Sequence, residues 1–171
     1  STATPAPTEI PASTAETLTL EQKVGQLFIV RPDALDLALS QETIDDPRAD
    51  GVTQVTDAMR ETLQQYPVGG ICQFGKNIES PSQLARFNKD LQAASATPLF
   101  ITVDEEGGMV ARLANNDAFD LPRYASAAAV GASGDPENAR AMGQTIGGYL
   151  KTYGFNMDFA PDADVNTNPD N

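Results

Sequence analysis

Along the chain, stretches whose apolar residues recur every three or four positions alternate with short unbroken apolar runs. Thr19 and Gln22 have the spacing of a reciprocal helix-capping box, and Leu20, Val24 and Leu27 follow at helical intervals, so a short helix begins here. The compact run at residues 27–30 is an extended strand or a last helical turn, which periodicity does not separate, and Pro32 stops either one. Residues 31–50 mix Asp, Pro and Ser and read as an irregular excursion. From Gly51, the helical spacing of Val52, Val55, Met59 and Leu63 predicts a second helix, closed by Pro67 and Gly69-Gly70.

A buried strand is expected at residues 70–74. Ser80-Pro81 then supplies an N-cap and a proline at the first helical position, with Leu84, Phe87 and Leu91 on one face. Pro98 ends that helix, and Phe100, Ile101 and Val103 form the next strand, which runs directly into Asp104, Glu105 and Glu106. A polar loop over residues 114–122 and an alanine-rich stretch lead to Asp135-Pro136, which starts another helix by the same logic. Its stripe is Met142, Ile146, Tyr149, Leu150 and Tyr153, and Gly154 is suited to its left-handed C-terminal cap. The last apolar run, residues 155–161, ends in Asp162, Asp164 and Asn166.

Helices alternating with strands through short links predict an α/β fold with a parallel sheet and helices packed outside it. Polar residues gather where strands end: Gln73, Lys76 and Asn77; then Asp104, Glu105 and Glu106; then Asp162 and Asp164. In parallel barrels and open α/β sheets the ligand sits at that edge, because strand ends and the following loops converge there.

Composition narrows the chemistry. Among 171 residues, 11 Lys and Arg stand against 24 Asp and Glu, a formal charge of -13 that repels phosphate backbones, so nucleic acid is not expected as a partner. The length suits one domain or part of one. Histidine is absent, which removes the commonest general base and metal ligand from these residues. The single cysteine, Cys72, lies in an apolar run and reads as a small core hydrophobe. No apolar stretch approaches the length of a bilayer span. Residues 1–17, rich in Pro, Thr, Ser and Ala, have the composition of a flexible tether, from which export of the protein is expected.

Asp104 at the end of a central strand is suited to accept hydrogen bonds from sugar hydroxyls, bind a cation, or act as an acid or base; alternatively it caps the following turn. Glu105 and Glu106 are weaker candidates, since one of them can pair with a neighbouring helix. Gly107-Gly108 lets the chain turn sharply and bring the Arg112 guanidinium back over the same mouth, where it recognises hydroxyls or forms an ion pair with Glu105 or Glu106. Asp158 and Asp164 flank the last strand, one pointing into the mouth and the other capping a loop, while Asp162 and Asn166 read equally well as turn residues. EF-hand spacing and phosphate-binding glycine loops are missing, so neither a metal nor a cofactor is expected.

VDEEGGMVAR at residues 103–112, of form D-x-E-G-G-x-V-x-R, resembles the sugar-binding signature of glycoside hydrolase family 3, and most of all its bacterial β-N-acetylhexosaminidase branch. LTLEQKVGQL at 18–27 is similar to that family's opening helix, VGGICQF at 68–74 to its G-G-[IL]-[IL]-x-F strand, and NMDFAPDADV at 156–165 to its F-A-P-x-x-D-V strand. The resemblance covers residues 18–171. It implies a (β/α)8 TIM-type barrel, with Asp104 and Arg112 binding the sugar, Asp164 as a structural or mouth-lining aspartate without a chemical role, and an N-acetylglucosaminide as the carbohydrate substrate, taken in this branch from peptidoglycan-derived sugars. The family retains stereochemistry through an aspartate nucleophile and, in this branch, a histidine acid/base, both downstream of the F-A-P-x-x-D-V strand. No catalytic residue is therefore expected among these 171, which correspond to the first half of the barrel and are expected to be inactive without the rest of it. Two alternatives stay open: a β-glucosidase-like member of the family, against which the D-E-E-G-G form counts, and a non-catalytic carbohydrate-binding barrel.

Overall fold

A computed structural model describes residues 17–164 together with 167 and 168. Most of the expected tether, residues 1–16, and Asn166 lie outside them. Four strands, β1 (Ile29–Val30), β2 (Gly70–Gln73), β3 (Phe100–Val103) and β6 (Met157–Asp158), form one parallel sheet in the order β1-β2-β3-β6. The predicted α/β class and parallel sheet are thus present.

The opening helix, α1 (Leu20–Gly25), carries the predicted capping box: Gln22 N–H donates to the Thr19 hydroxyl at 3.2 Å, and Thr19 N–H donates to Gln22 Oε1 at 2.9 Å. The ambiguous run that follows divides, Leu27 and Phe28 forming a turn and only Ile29 and Val30 the strand.

Between β1 and β2 the structure departs from the sequence pattern. Residues 31–50 contain a short 3-10 turn, Pro32–Leu35, and α2 (Gln41–Asp45), capped by the Ser40 hydroxyl. The helix expected from Gly51 starts later, as α3 (Asp57–Gln65), with Thr56 as its N-cap. Val52 explains the delay. Its N–H donates to Asp33 Oδ1 at 3.1 Å and its carbonyl accepts from Asn77 Nδ2 at 3.0 Å, so its backbone is committed to a tertiary network rather than to a helical turn.

α4 (Pro81–Ala94) and α6 (Pro136–Thr152) begin at Ser80 and Asp135, where the cap-and-proline pattern puts them. After α6, Gly154 takes the left-handed conformation at φ 86°. A further short helix, α5 (Ala127–Gly131), is capped by Ser126. The core lies between one sheet face and the helices: Ile71, Ile101 and Val103 pack with Met59 and Leu63 of α3, Leu84, Phe87 and Leu91 of α4, and Met142, Ile146 and Leu150 of α6. The side-chain face of each strand alternates, so the register sends Ile29, Phe100 and Met157 to the opposite face, where they stay 36%, 54% and 38% exposed.

Candidate functional site

Strand alternation decides which of the clustered acids face the uncovered side of the sheet. Asp104 follows Phe100 and Thr102 in step, on the same face as Cys72, and Arg112 Nη2 donates to its Oδ2 at 3.3 Å. The pair is about one third exposed on the guanidinium side and one quarter on the carboxylate side, so an incoming ligand can reach both.

The hairpin of β4 (Glu105–Gly107) and β5 (Val110–Ala111) makes this pairing possible. Its tip needs φ 84° at Gly107 and 68° at Gly108, and a Cβ on Gly108 would lie 2.9 Å from the Ala125 carbonyl oxygen. The hairpin returns the chain over eight residues and sets Arg112 beside Asp104, as the sequence led one to expect. The alternative pairing of Arg112 with Glu105 or Glu106 does not form. Arg112 Nε is shielded from solvent and has no acceptor among the described residues.

Glu105 points the other way and is fully buried. Its Oε2 accepts from Leu113 N–H at 2.8 Å, and its Oε1 accepts from Ala114 N–H and from the Tyr149 hydroxyl of α6, both at 2.8 Å. Burial, then the hydrogen bond to Glu105, raises the Tyr149 phenol pKa, so the phenol stays protonated and donating. This carboxylate ties the residues after Arg112 to the helix layer, which fixes where the guanidinium sits. The sequence allowed one of the two glutamates to pair with a neighbouring helix; it is Glu105.

Asp158 is a correction. It does not point into the mouth. Asp158 pairs in register with Val103, whose side chain faces the helices, and its Oδ1 accepts from Glu105 N–H at 3.0 Å. Burial pushes the Asp158 carboxyl up to about 6, against the Glu105 hydrogen bond that favours ionisation, and the charges of Glu105, Asp104 and Glu106 add to the rise. Asp164 is exposed and donates its N–H to Asp162 Oδ1 at 2.9 Å, so Asp162 is the turn-capping acid.

Gln73 also leaves the mouth, since its Nε2 donates to Asn88 Oδ1 of α4 at 2.8 Å. Lys76 and Asn77 form a buried clamp with Asp33, a residue that the sequence reading passed over. Asn77 Nδ2 donates to Asp33 Oδ2 at 2.8 Å, Lys76 Nζ lies 3.6 Å from Asp33 Oδ1, and Nζ donates to the Thr43, Ile44 and Asp46 carbonyls. Together they hold the segment after β1 against the end of β2. Cys72 is buried as expected, and its thiol pKa is raised chiefly by that burial.

Two more residues at the sheet edge escaped notice in the sequence. Arg31 follows β1 and Phe74 follows β2, and the guanidinium carbons of Arg31 and Arg112 lie 4.9 and 5.7 Å from the Phe74 ring centroid. Arg31 was signalled only by its position directly after the run at 27–30, and Phe74 was read as the last residue of a buried strand rather than as part of the site. Among the described residues no group of three or more Asp, Glu or Cys side chains could hold a metal ion.

Comparison with known proteins gives a consistent assignment. The family described as Glycosyl hydrolase family 3 N terminal domain matches residues 19–171. Beta-hexosaminidase A of Pseudoalteromonas piscicida is 32% identical over 163 residues, covering 90% of this chain and 26% of the relative. Among solved structures, a glycoside hydrolase family 3 beta-N-acetylglucosaminidase from Paenibacillus sp. str. FPU-7 superposes with a TM-score of 0.70 at 36% identity, over 91% of this chain and 26% of that one. NagZ from Neisseria gonorrhoeae, in complex with N-trifluoroacetyl-D-glucosamine, gives a TM-score of 0.56 at 25% identity over 64% of this chain and 33% of that one. The chain thus spans about a quarter to a third of the length of these proteins. With that match running through the strand ends that carry Asp104 and Arg112, the chain belongs to glycosyl hydrolase family 3, in its N-terminal domain.

Proposed function

We propose that this chain supplies the sugar-binding half of a glycosidase that removes terminal, non-reducing β-linked N-acetylglucosamine residues. The observation that carries the reading is the partly exposed Asp104 and Arg112 pair, facing the uncovered side of the sheet at its C-terminal edge. An ionised carboxylate accepts from adjacent sugar hydroxyls, while the guanidinium fork donates to hydroxyl oxygens. Side by side, the two fix both the position and the orientation of a polyhydroxylated ring.

The sheet is proposed to be part of a (β/α)8 barrel. A parallel sheet is normally covered on both faces, yet among the described residues only one face carries helices, and the other presents Ile29, Phe100 and Met157. Further strands closing from the β1 and β6 edges would bury those residues as barrel interior and bring other strand ends around Asp104. The aspartate nucleophile and histidine acid/base of a retaining mechanism would come from those strands. Peptidoglycan-derived sugars as natural substrate, and export to the cell envelope, belong to the same proposal.

The test is turnover of 4-nitrophenyl N-acetyl-β-glucosaminide and of 4-nitrophenyl β-glucoside by the full-length polypeptide. The glucosaminide is expected to react faster by about tenfold or more. Faster turnover of the glucoside would replace the N-acetylhexosaminidase reading with the β-glucosidase one, and turnover by the isolated 171-residue chain would overturn the division of the site.

A further inference from the structure

The β4–β5 hairpin and the Glu105 carboxylate fix the backbone on either side of Arg112, but they leave its side-chain torsions free. Among the described residues the guanidinium donates from a single nitrogen, Nη2, to Asp104 Oδ2 at 3.3 Å. A planar fork recognises hydroxyls by the direction in which its plane faces, and one hydrogen bond of that length lets the plane swing about the contact. A flat surface against the guanidinium supplies the missing constraint. The structure places one there, since the Phe74 ring centroid lies 5.7 Å from the guanidinium carbon.

Phe74 is placed for this contact more than for packing. It follows β2, the strand between β1 and β3, so it stands at the sheet edge between Arg31 after β1 and Asp104 after β3. It is partly exposed and lies outside the apolar core that joins the sheet to the helices. An aromatic ring in such a position still offers its negative face to a cation.

The ring is itself anchored. Phe74 N–H donates to Asn77 Oδ1 at 3.1 Å, and Asn77 N–H donates to the Phe74 carbonyl at 2.8 Å. Asn77 is buried, and its Nδ2 donates to Asp33 Oδ2 at 2.8 Å and to the Val52 carbonyl at 3.0 Å. From the β1 side, the Arg31 guanidinium carbon lies 4.9 Å from the same ring centroid. Arg31 is held in turn, its Nη1 donating to the Ile44 carbonyl at 3.0 Å and to Asp45 at 2.9 Å. Backbone and ring are thus both constrained independently of Arg112, and an orientation set before the ligand arrives reduces the entropy lost on binding.

We infer that Phe74 is a positioning residue for sugar binding, its ring setting the plane in which the Arg112 guanidinium meets the sugar. The inference rests on the proposed function and adds to it a residue that acts through Arg112.

The experiment measures kcat and KM for 4-nitrophenyl N-acetyl-β-glucosaminide in the full-length polypeptide carrying Phe74→Leu, Phe74→Tyr or Phe74→Trp. Leucine keeps apolar bulk but has no π face, so KM is expected to rise by about fivefold while kcat stays within about twofold of wild type. Tyrosine and tryptophan restore the face, and at least one of them is expected to bring KM back to within about twofold of wild type. A purely structural role reads differently: a smaller folded fraction lowers kcat at unchanged KM. The positioning role is overturned if Phe74→Leu leaves KM within about twofold of wild type, if that variant does not fold, or if neither aromatic variant restores KM. A wild-type protein silent on the glucosaminide, or an Arg112→Met variant with unchanged kcat/KM, overturns the proposed function and this inference with it.

Discussion

Replacing Glu105 tests whether the acidic triplet after β3 divides between sugar binding and architecture. Truncation in Glu105→Ala strands Leu113 N–H, Ala114 N–H and the Tyr149 hydroxyl, all now bonded at 2.8 Å to a fully buried carboxylate. Hydrogen bonds to charged groups contribute about 1.5–3 kcal/mol each, and allowing for their non-additivity the loss should be about 4 kcal/mol, a large share of an ordinary domain's stability. Glu105→Gln separates size from charge. Its one oxygen can serve Ala114 and Tyr149 together, which turns the amide NH2 toward Leu113 N–H, donor against donor, at a cost of about 2 kcal/mol. Tyr149→Phe removes a single donor and should cost about 1 kcal/mol. Urea unfolding of the full-length polypeptide ranks the three variants, and KM should rise in Glu105→Gln because residues 113 and 114 no longer anchor Arg112. Should Glu105→Ala lose less than about 0.5 kcal/mol while abolishing turnover, the carboxylate belongs to the chemistry and the structural assignment is wrong.

Other predictions probe different parts of the framework. Asp158 has a folded pKa of about 6, above its unfolded value, so it binds more protons folded than unfolded, and its contribution to stability falls as pH rises from about 4 to 6. After discounting for a half-buried group, Asp158→Asn should gain about 1 kcal/mol on wild type across that window, and a constant difference between pH 4 and 7 would contradict the assignment. Lys76→Met leaves Asp33 as a buried, unpaired charge and should cost about 3 kcal/mol, read as a lowered unfolding midpoint. Gly108→Ala forces a Cβ to 2.9 Å from a carbonyl oxygen at φ 68°, so about 1–2 kcal/mol is expected to be lost, with KM raised because the hairpin aims Arg112.

The sequence made the fold legible where local chemistry and tertiary demand agree. Ser80-Pro81 and Asp135-Pro136 start helices because cap and proline act locally, and the short, largely apolar runs at 70–73 and 100–103, bounded by glycine, proline and polar residues, are strands. It misled where a long-range partner decides. Val52 and Val55 keep a helical spacing, but Asp33 and Asn77 hold the Val52 backbone, and nothing in the local pattern encodes that pairing. At the site, Asp104 and Arg112 were legible from the strand end and the Gly-Gly return. Glu105 and Asp158 were separable from Asp104 only by strand parity, which becomes certain once the register with β2 and β6 is known. Arg31 and Phe74 escaped because their relation to Arg112 is a stacking contact between residues 38 or more positions apart.

The central claim is that Asp104 holds the sugar without being part of the framework. The direct measurement is kcat/KM for 4-nitrophenyl N-acetyl-β-glucosaminide with Asp104→Ala in the full-length polypeptide, alongside its unfolding free energy. The expected result is a fall of about 10²-fold or more in kcat/KM with less than about 1 kcal/mol of stability lost, since the partly exposed pair contributes little to folding. Activity within about twofold of wild type in a folded Asp104→Ala protein would contradict it.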